Sequence, residues 1–145
     1  MPKDEELTPG FKEALLTKAK KRIPFWSLVG IELIDIKKGW AKTKIPFSQK
    51  LQNANGVAHG GVIFSAADTA VGLALLGLVD RHDLLTTIEM KINYLRSFDH
   101  GEIFAEAKII FKGSHTAVGE AEVRDSDDNL VAKAISTYAI IKRNS

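Results

Sequence analysis

Gly60 to Val79 is an almost unbroken apolar run, long enough for about five helical turns, and from Thr86 onward the chain changes to a period of two. A helix this apolar cannot lie with one face in water, so something must enclose it. The segments TTIEMKINYLRSF, GEIFAEAKIIFKG and HTAVGEAEVRDSDDNLVAKAISTYAIIKR alternate apolar and polar side chains, as strands with one covered face do. Short polar turns at Asp99 to Gly101, Lys112 to Ser114 and Asp125 to Asn129 divide them into four strands. Strands joined in this way predict a meander, and the simplest packing wraps a curved antiparallel sheet around the long central helix in an α+β fold.

Upstream, GIELIDIKKG and WAKTKIPF read as two further antiparallel strands with a turn at Lys37, Lys38 and Gly39. From Thr8 to Arg22, Phe11, Leu15, Leu16 and Ala19 recur at helical spacing behind Thr-Pro-Gly. This predicts a short amphipathic helix that Pro24 breaks off. Lys18, Lys20, Lys21 and Arg22 favour the negative end of that helix dipole and read as a solvated helix end rather than a binding patch. Residues 1–26 are thus expected to form an N-terminal helical segment and residues 27–145 the functional domain.

A chain of 145 residues with 45% hydrophobic content suits one core that buries roughly two-thirds of the unfolded surface. Twenty basic and eighteen acidic residues leave a charge of only +2, which does not suggest nucleic acid as a partner. Cysteine is absent, which removes disulfides, thiol nucleophiles and thiolate metal sites together. The acidic stretch MPKDEELTPG stands where a secretory signal would be basic and then apolar, so a cytoplasmic protein is expected. Within the apolar run, Asp68 alone would cost about 3 kcal/mol near a bilayer centre, so enclosure by protein is expected rather than a membrane.

The loop and helix NANGVAHGGVIFSAADTA, Asn53 to Ala70, concentrate the chemistry. Gly60 and Gly61 stand where the loop enters the helix, and the first N–H groups of a helix lack internal partners. A carbonyl oxygen gaining charge during acyl transfer would be stabilised there, although His-Gly-Gly also serves as a plain tight turn with a cap. Asp68, among Ala66, Ala67, Ala70 and Val71, needs either a partner such as Ser65 or Thr69 or a task as nucleophile or general base. Eight residues separate Gly60 from Asp68, roughly 12 Å along the axis, too far for both to serve one carbonyl. Two helices packed antiparallel about a two-fold axis would bring Asp68 of one chain to the helix start of the other, so the catalytic unit is expected to be a homodimer.

The Asn-x-x-Gly-x-x-His-Gly-Gly pattern at Asn53 to Gly61, with an Asp eight residues after Gly60, resembles that of the PaaI-like acyl-CoA thioesterases of the hotdog fold. The resemblance runs from about Ile31 to Lys142, with TTIEMKINYLR as the strand after the helix. It implies hydrolysis of an acyl-CoA, with an aryl or short-to-medium acyl group, to free acid and CoA. Gly60 then polarises the thioester carbonyl, Asp68 is the acid of the partner subunit, and Asn53 and His59 line the site. Asn53 is preferred to Asn55 by its six-residue spacing from His59. Thr87, or Thr86 beside it, orients water. Lys112, Gly113, Ser114, His115 and Thr116 would hold the CoA nucleotide, with Arg96 a weaker candidate, and Gly61 and Phe64 would touch substrate. Phe64, Val71, Leu75 and Tyr94 could line an acyl pocket or belong to the core. The family also implies pairing of dimers into a homotetramer and coenzyme A only as part of the substrate, with no separate cofactor. His82 and His100 lie in polar turns without a chemical role, and His59 has no companion ligands at metal spacing, so no metal is expected. Two rivals share the fold. One is a non-catalytic acyl-CoA sensor or binding module, in which Asp68 has no task; the other is a hydratase or dehydratase, whose His with Asp or Glu arrangement is not found here.

Overall fold

The computed structural model describes residues 5–143. Met1 to Asp4, where the MPKDEELTPG stretch begins, and the last two residues lie outside the described residues. Two helices come first, α1 (Pro9–Arg22) and α2 (Pro24–Val29), followed by strands β1 (Glu32–Lys37) and β2 (Trp40–Pro46). A 3-10 turn (Gln49–Leu51) leads to the long helix α3 (Gly60–Leu76). Strands β3 (Leu84–Tyr94), β4 (Glu102–Lys112), β5 (Thr116–Asp125) and β6 (Leu130–Ile141) complete the chain. All six strands form one antiparallel sheet, and α3 touches every one of them.

The strand order, β1-β2-β4-β5-β6-β3, corrects the expected four-strand meander. Of the four strands after α3, only β4, β5 and β6 follow one another; β3 lies outside β6, at the far edge. The predicted strand through Phe98 ends at Tyr94, and the chain then crosses to the other side of the sheet. That crossing is pinned beneath the start of α3, where Ala58 donates to the Phe98 carbonyl at 2.7 Å and Phe47 to that of Gly101 at 2.8 Å. Alternation of side chains specifies a strand's covered face but says nothing about its neighbour. The N-terminal segment differs as well. Pro24 opens α2 instead of merely ending α1, since proline suits the first helical position. Helix α1 buries only Ala19, while Phe11 and Leu16 remain exposed.

The core consists of small side chains. Ala66, Ala67, Ala70 and Ala74 of α3 are fully buried, so the helix lies close against the sheet. At Gly119 on β5 a Cβ would stand 2.7 Å from the Val71 methyl, so the strand passes beneath the helix only as glycine. Val71 and Leu75 face this core, which resolves their role in favour of packing. The buried Thr43 hydroxyl donates to the Ala66 carbonyl at 3.1 Å and fixes the helix along its axis. No helix among the described residues is long and apolar enough to cross a membrane.

Candidate active site

His59 caps α3. Its Nδ1 accepts a hydrogen bond from the Gly61 N–H at 2.8 Å, and its carbonyl takes the Val62 N–H at 2.9 Å. His-Gly-Gly thus forms a tight turn with a capping side chain. The cap occupies the Gly61 amide, while no described residue accepts from the Gly60 N–H. Tyr94, from the end of β3, lies across this corner and donates its hydroxyl to the Gly60 carbonyl at 2.9 Å. Burial pushes the Tyr94 hydroxyl above its ordinary pKa, so it keeps its proton.

Asn53 organises the loop ahead of the cap. Its Oδ1 accepts from the Asn55 N–H at 2.8 Å and its own N–H donates to the Val57 carbonyl at 2.7 Å. Asn53 is half-buried and Asn55 is exposed. A groove of about 290 Å³ opens beside His59 and Gly61, with Phe25, Val29, Leu51 and Val62 forming its apolar wall. Phe25 and Val29 come from α2, so this wall was out of reach of a reading that ended the helix at Pro24.

Asp68 is half-buried on α3, one turn beyond Phe64 and Ser65. Its Oδ1 accepts from the Thr87 hydroxyl at 2.8 Å and from the Tyr138 hydroxyl at 2.7 Å. Neither Ser65 nor Thr69 supplies a partner; the Ser65 hydroxyl donates to the Gly61 carbonyl at 2.7 Å. A bulge in β3 after Thr87 shifts the register there, leaving Thr87 opposite Tyr138 on the covered face while Thr86 pairs with Ala139 on the other. Burial first, and the Asp68 charge second, push the Tyr138 phenol far above its ordinary pKa, so it acts as a donor. Tyr138 was missed at the sequence level. The available signal was a polar tip at an inward position of β6, two residues from the equally buried Ser136.

The CoA candidates fall into two places. Lys112 to Thr116 form the β4–β5 turn, closed by a Gly113 to Thr116 hydrogen bond of 2.7 Å and tied to β6 by Ile140 donating to the His115 carbonyl at 2.8 Å. Ala117, next along, pairs with Tyr138, so this turn adjoins the Asp68 cluster. Arg96 lies at the other end of β5, near Asp125. That strand is about 30 Å long, so one chain cannot bring Arg96 and the turn to the same nucleotide. His100 pairs with Asp99 at 2.6 Å in an exposed turn, which raises its pKa, and it touches neither cluster. Among the described residues no three His, Asp or Glu side chains group as metal ligands.

Along a single α3, Gly60 and Asp68 point to separate places: the helix start by Tyr94, and the Thr87–Tyr138 pair at mid-sheet. Residues 55–132 match the family described as Thioesterase superfamily, a span that runs from the site loop through β3, β4 and β5 into β6. An esterase candidate of Saccharolobus solfataricus is 37% identical over 123 residues, covering 85% of this chain and 87% of its own. A medium/long-chain acyl-CoA thioesterase of Salmonella typhimurium, YigI, is 28% identical over 81% of this chain and 86% of its own. The Escherichia coli PaaI protein of the phenylacetic acid degradation operon superposes with a TM-score of 0.78 at 23% identity, covering 86% of this chain and 88% of that one, and shares the fold. The six-stranded wrap around α3 thus has a known frame: the chain belongs to the thioesterase superfamily, as a thioester hydrolase of the hotdog fold.

Proposed function

We propose that the protein hydrolyses an acyl-CoA thioester at sites shared between two copies of the chain, with residues 27–145 carrying the chemistry. The observation that carries this reading is the separation of the two groups on one rigid helix: the Gly60 amide at its start and Asp68 two turns on, each held by different neighbours. The thioester carbonyl accepts from the Gly60 N–H of one copy, where the helix dipole favours the growing negative charge. Asp68 of the other copy takes a proton from water as the water oxygen bonds to the carbonyl carbon. The C–S bond then breaks, and the departing thiolate takes that proton, so that water and thioester become acid and thiol.

Two further features support the reading. Strand β3 is an edge strand of 11 residues, and Leu84, Ile88, Tyr94 and Leu95 along and just beyond it are exposed. A long apolar edge of this kind calls for a partner strand or cover, and a second β3 would bring the two helices antiparallel. The apolar groove beside His59 and Gly61 has room for a hydrocarbon or aryl acyl group, in keeping with the acyl-CoA named for the Salmonella relative.

The test has two parts. Thiol release is measured for a panel of short, medium, long and aromatic acyl-CoAs, and Asp68→Asn is expected to lower kcat by about 10³-fold or more while the dimer persists. Asp68→Asn chains are then re-associated with chains carrying a disabling Gly60 substitution. A shared site rebuilds one intact centre in every mixed dimer and returns roughly a quarter of the wild-type rate. No recovery in the mixture would place both groups in one chain and overturn the shared site; no thiol release from any acyl-CoA would overturn the choice of substrate.

A further inference from the structure

The Asp68 carboxylate is asymmetric. Its Oδ1 receives both hydroxyls, Thr87 at 2.8 Å and Tyr138 at 2.7 Å, whereas no described residue hydrogen-bonds Oδ2. The Tyr138 hydroxyl also lies 2.6 Å from the Asp68 main-chain carbonyl, so its single proton is shared between the side chain and the backbone of the same residue. Tyr138 itself is almost fully buried, 6% exposed, and its ring has little freedom to leave. The approach depends on a missing side chain: a Cβ on Gly72 would stand 3.0 Å from the Tyr138 hydroxyl oxygen and 3.3–3.4 Å from its ring carbons. Gly72 is one helical turn after Asp68, on the same face. Glycine inside a helix lowers its intrinsic stability relative to alanine, and at this position it leaves open the path by which the phenol reaches the carboxylate.

We propose that Tyr138 is a positioning residue for the hydrolysis, holding Asp68 Oδ1 together with Thr87 so that Oδ2 alone faces the reacting water, and that Gly72 keeps the space the phenol needs. This rests on the reading of Asp68 as the acid of an acyl-CoA hydrolase. A carboxylate on a mobile side chain would present either oxygen in several rotamers, and fixing one oxygen with two donors leaves a single reactive geometry. Burial keeps the phenol protonated, so its hydroxyl remains available as a donor to Oδ1. Core filling alone would be met by the ring, which phenylalanine supplies equally well, and loss of the hydroxyl's bond to the Asp68 main-chain carbonyl would show in the thermal midpoint rather than in kcat.

The experiment uses the full-length protein and thiol release from the best acyl-CoA of the panel. Tyr138→Phe is expected to lower kcat by about 10- to 100-fold with KM changed less than twofold, the size of one lost hydrogen bond to a charged group. In an Asp68→Asn background the same change is expected to cost nothing further, because a residue acting through Asp68 has no effect once that acid is gone. Gly72→Ala serves as the second variant: it is expected to lower kcat similarly while the thermal midpoint holds or rises, separating displacement of the phenol from loss of fold. A fully active Tyr138→Phe, or a loss that adds in full to that of Asp68→Asn, overturns the proposal. The reading beneath it fails differently, by an Asp68→Asn protein that keeps its turnover.

Discussion

Thr87 and Tyr138 stand opposite each other on β3 and β6, and both hydroxyls end on the same oxygen of Asp68. An acid on the central helix is thereby held by two strands adjacent in the sheet and distant in the chain, with 19 residues separating Thr87 from Asp68 and 70 separating Tyr138. A group held from two sides keeps its orientation through turnover, and the predictions about the site follow from this.

Thr87→Ala removes one of the two donors and is expected to reduce kcat about tenfold, whereas Thr87→Ser, which keeps the hydroxyl, is expected to stay within threefold of wild type. Thr86→Ala, on the other face of the sheet, is expected to do nothing. Steady-state thiol release from the three variants checks the assignment, and a larger loss from Thr86→Ala than from Thr87→Ala would refute it.

At the helix start, a Cβ on Gly60 would meet Tyr94 Cζ and its hydroxyl oxygen at 3.3 Å. Gly60→Ala keeps the amide but forces the ring aside, and kcat/KM is expected to fall on the order of tenfold through misplacement of the carbonyl site. Adding Tyr94→Ala relieves the crowding, so the double variant is expected to be more active than Gly60→Ala alone. A double variant no better than the single one would show that crowding is not the cause.

Beneath the helix, Gly119→Ala inserts a methyl 2.7 Å from Val71 Cγ1 and 3.1 Å from Ile109 Cδ1. Neither neighbour has free space in a core of buried alanines and valines, and a loss of about 1–3 kcal/mol in urea unfolding is expected. Val71→Ala in the same chain should recover part of that loss. Unchanged unfolding of the single variant would mean that the helix lies less tightly on β5 than described.

Acid sensitivity of the fold should involve Asp83. Its side chain is 2% exposed and accepts from the Lys142 ammonium at 3.1 Å, and this contact with Lys142 is the main reason its carboxyl lies below the ordinary 3.8. A carboxyl depressed in the folded state stabilises that state above the unfolded value, and the contribution is lost as pH falls through the folded one. Asp83→Asn is therefore expected to lower the thermal midpoint at neutral pH and to flatten its decline below about pH 4. Midpoints measured from pH 2 to pH 7 decide the matter; parallel curves for both proteins would remove Asp83 from the account.

Much of the site could be read along the chain because its signals are local. The cap at His59 and the helix start at Gly60 are neighbours in sequence. Asp68 stood out as a carboxylate among alanines, and Thr87 required only that the next strand begin where the period changed. The N-terminal helices were half legible: Pro24 was visible, but a proline both ends one helix and begins another, and only packing selects between the two. Arg96 and the Lys112 to Thr116 turn looked like parts of one nucleotide site because nothing local records that they occupy opposite ends of β5.

The sequence by itself determined the central helix, the six strands with their covered faces, and the loop that leads into the glycine pair, since these follow from side-chain period and from glycine and proline chemistry. Tertiary structure alone decided that β3 leaves its sequence neighbour β4 to pair with β6, and so brought Tyr138 to Asp68. The physical reason is that alternation is a property of one strand, whereas neighbour choice is settled by where the crossing segment can satisfy its backbone hydrogen bonds, here under the start of α3 at Phe98 and Gly101.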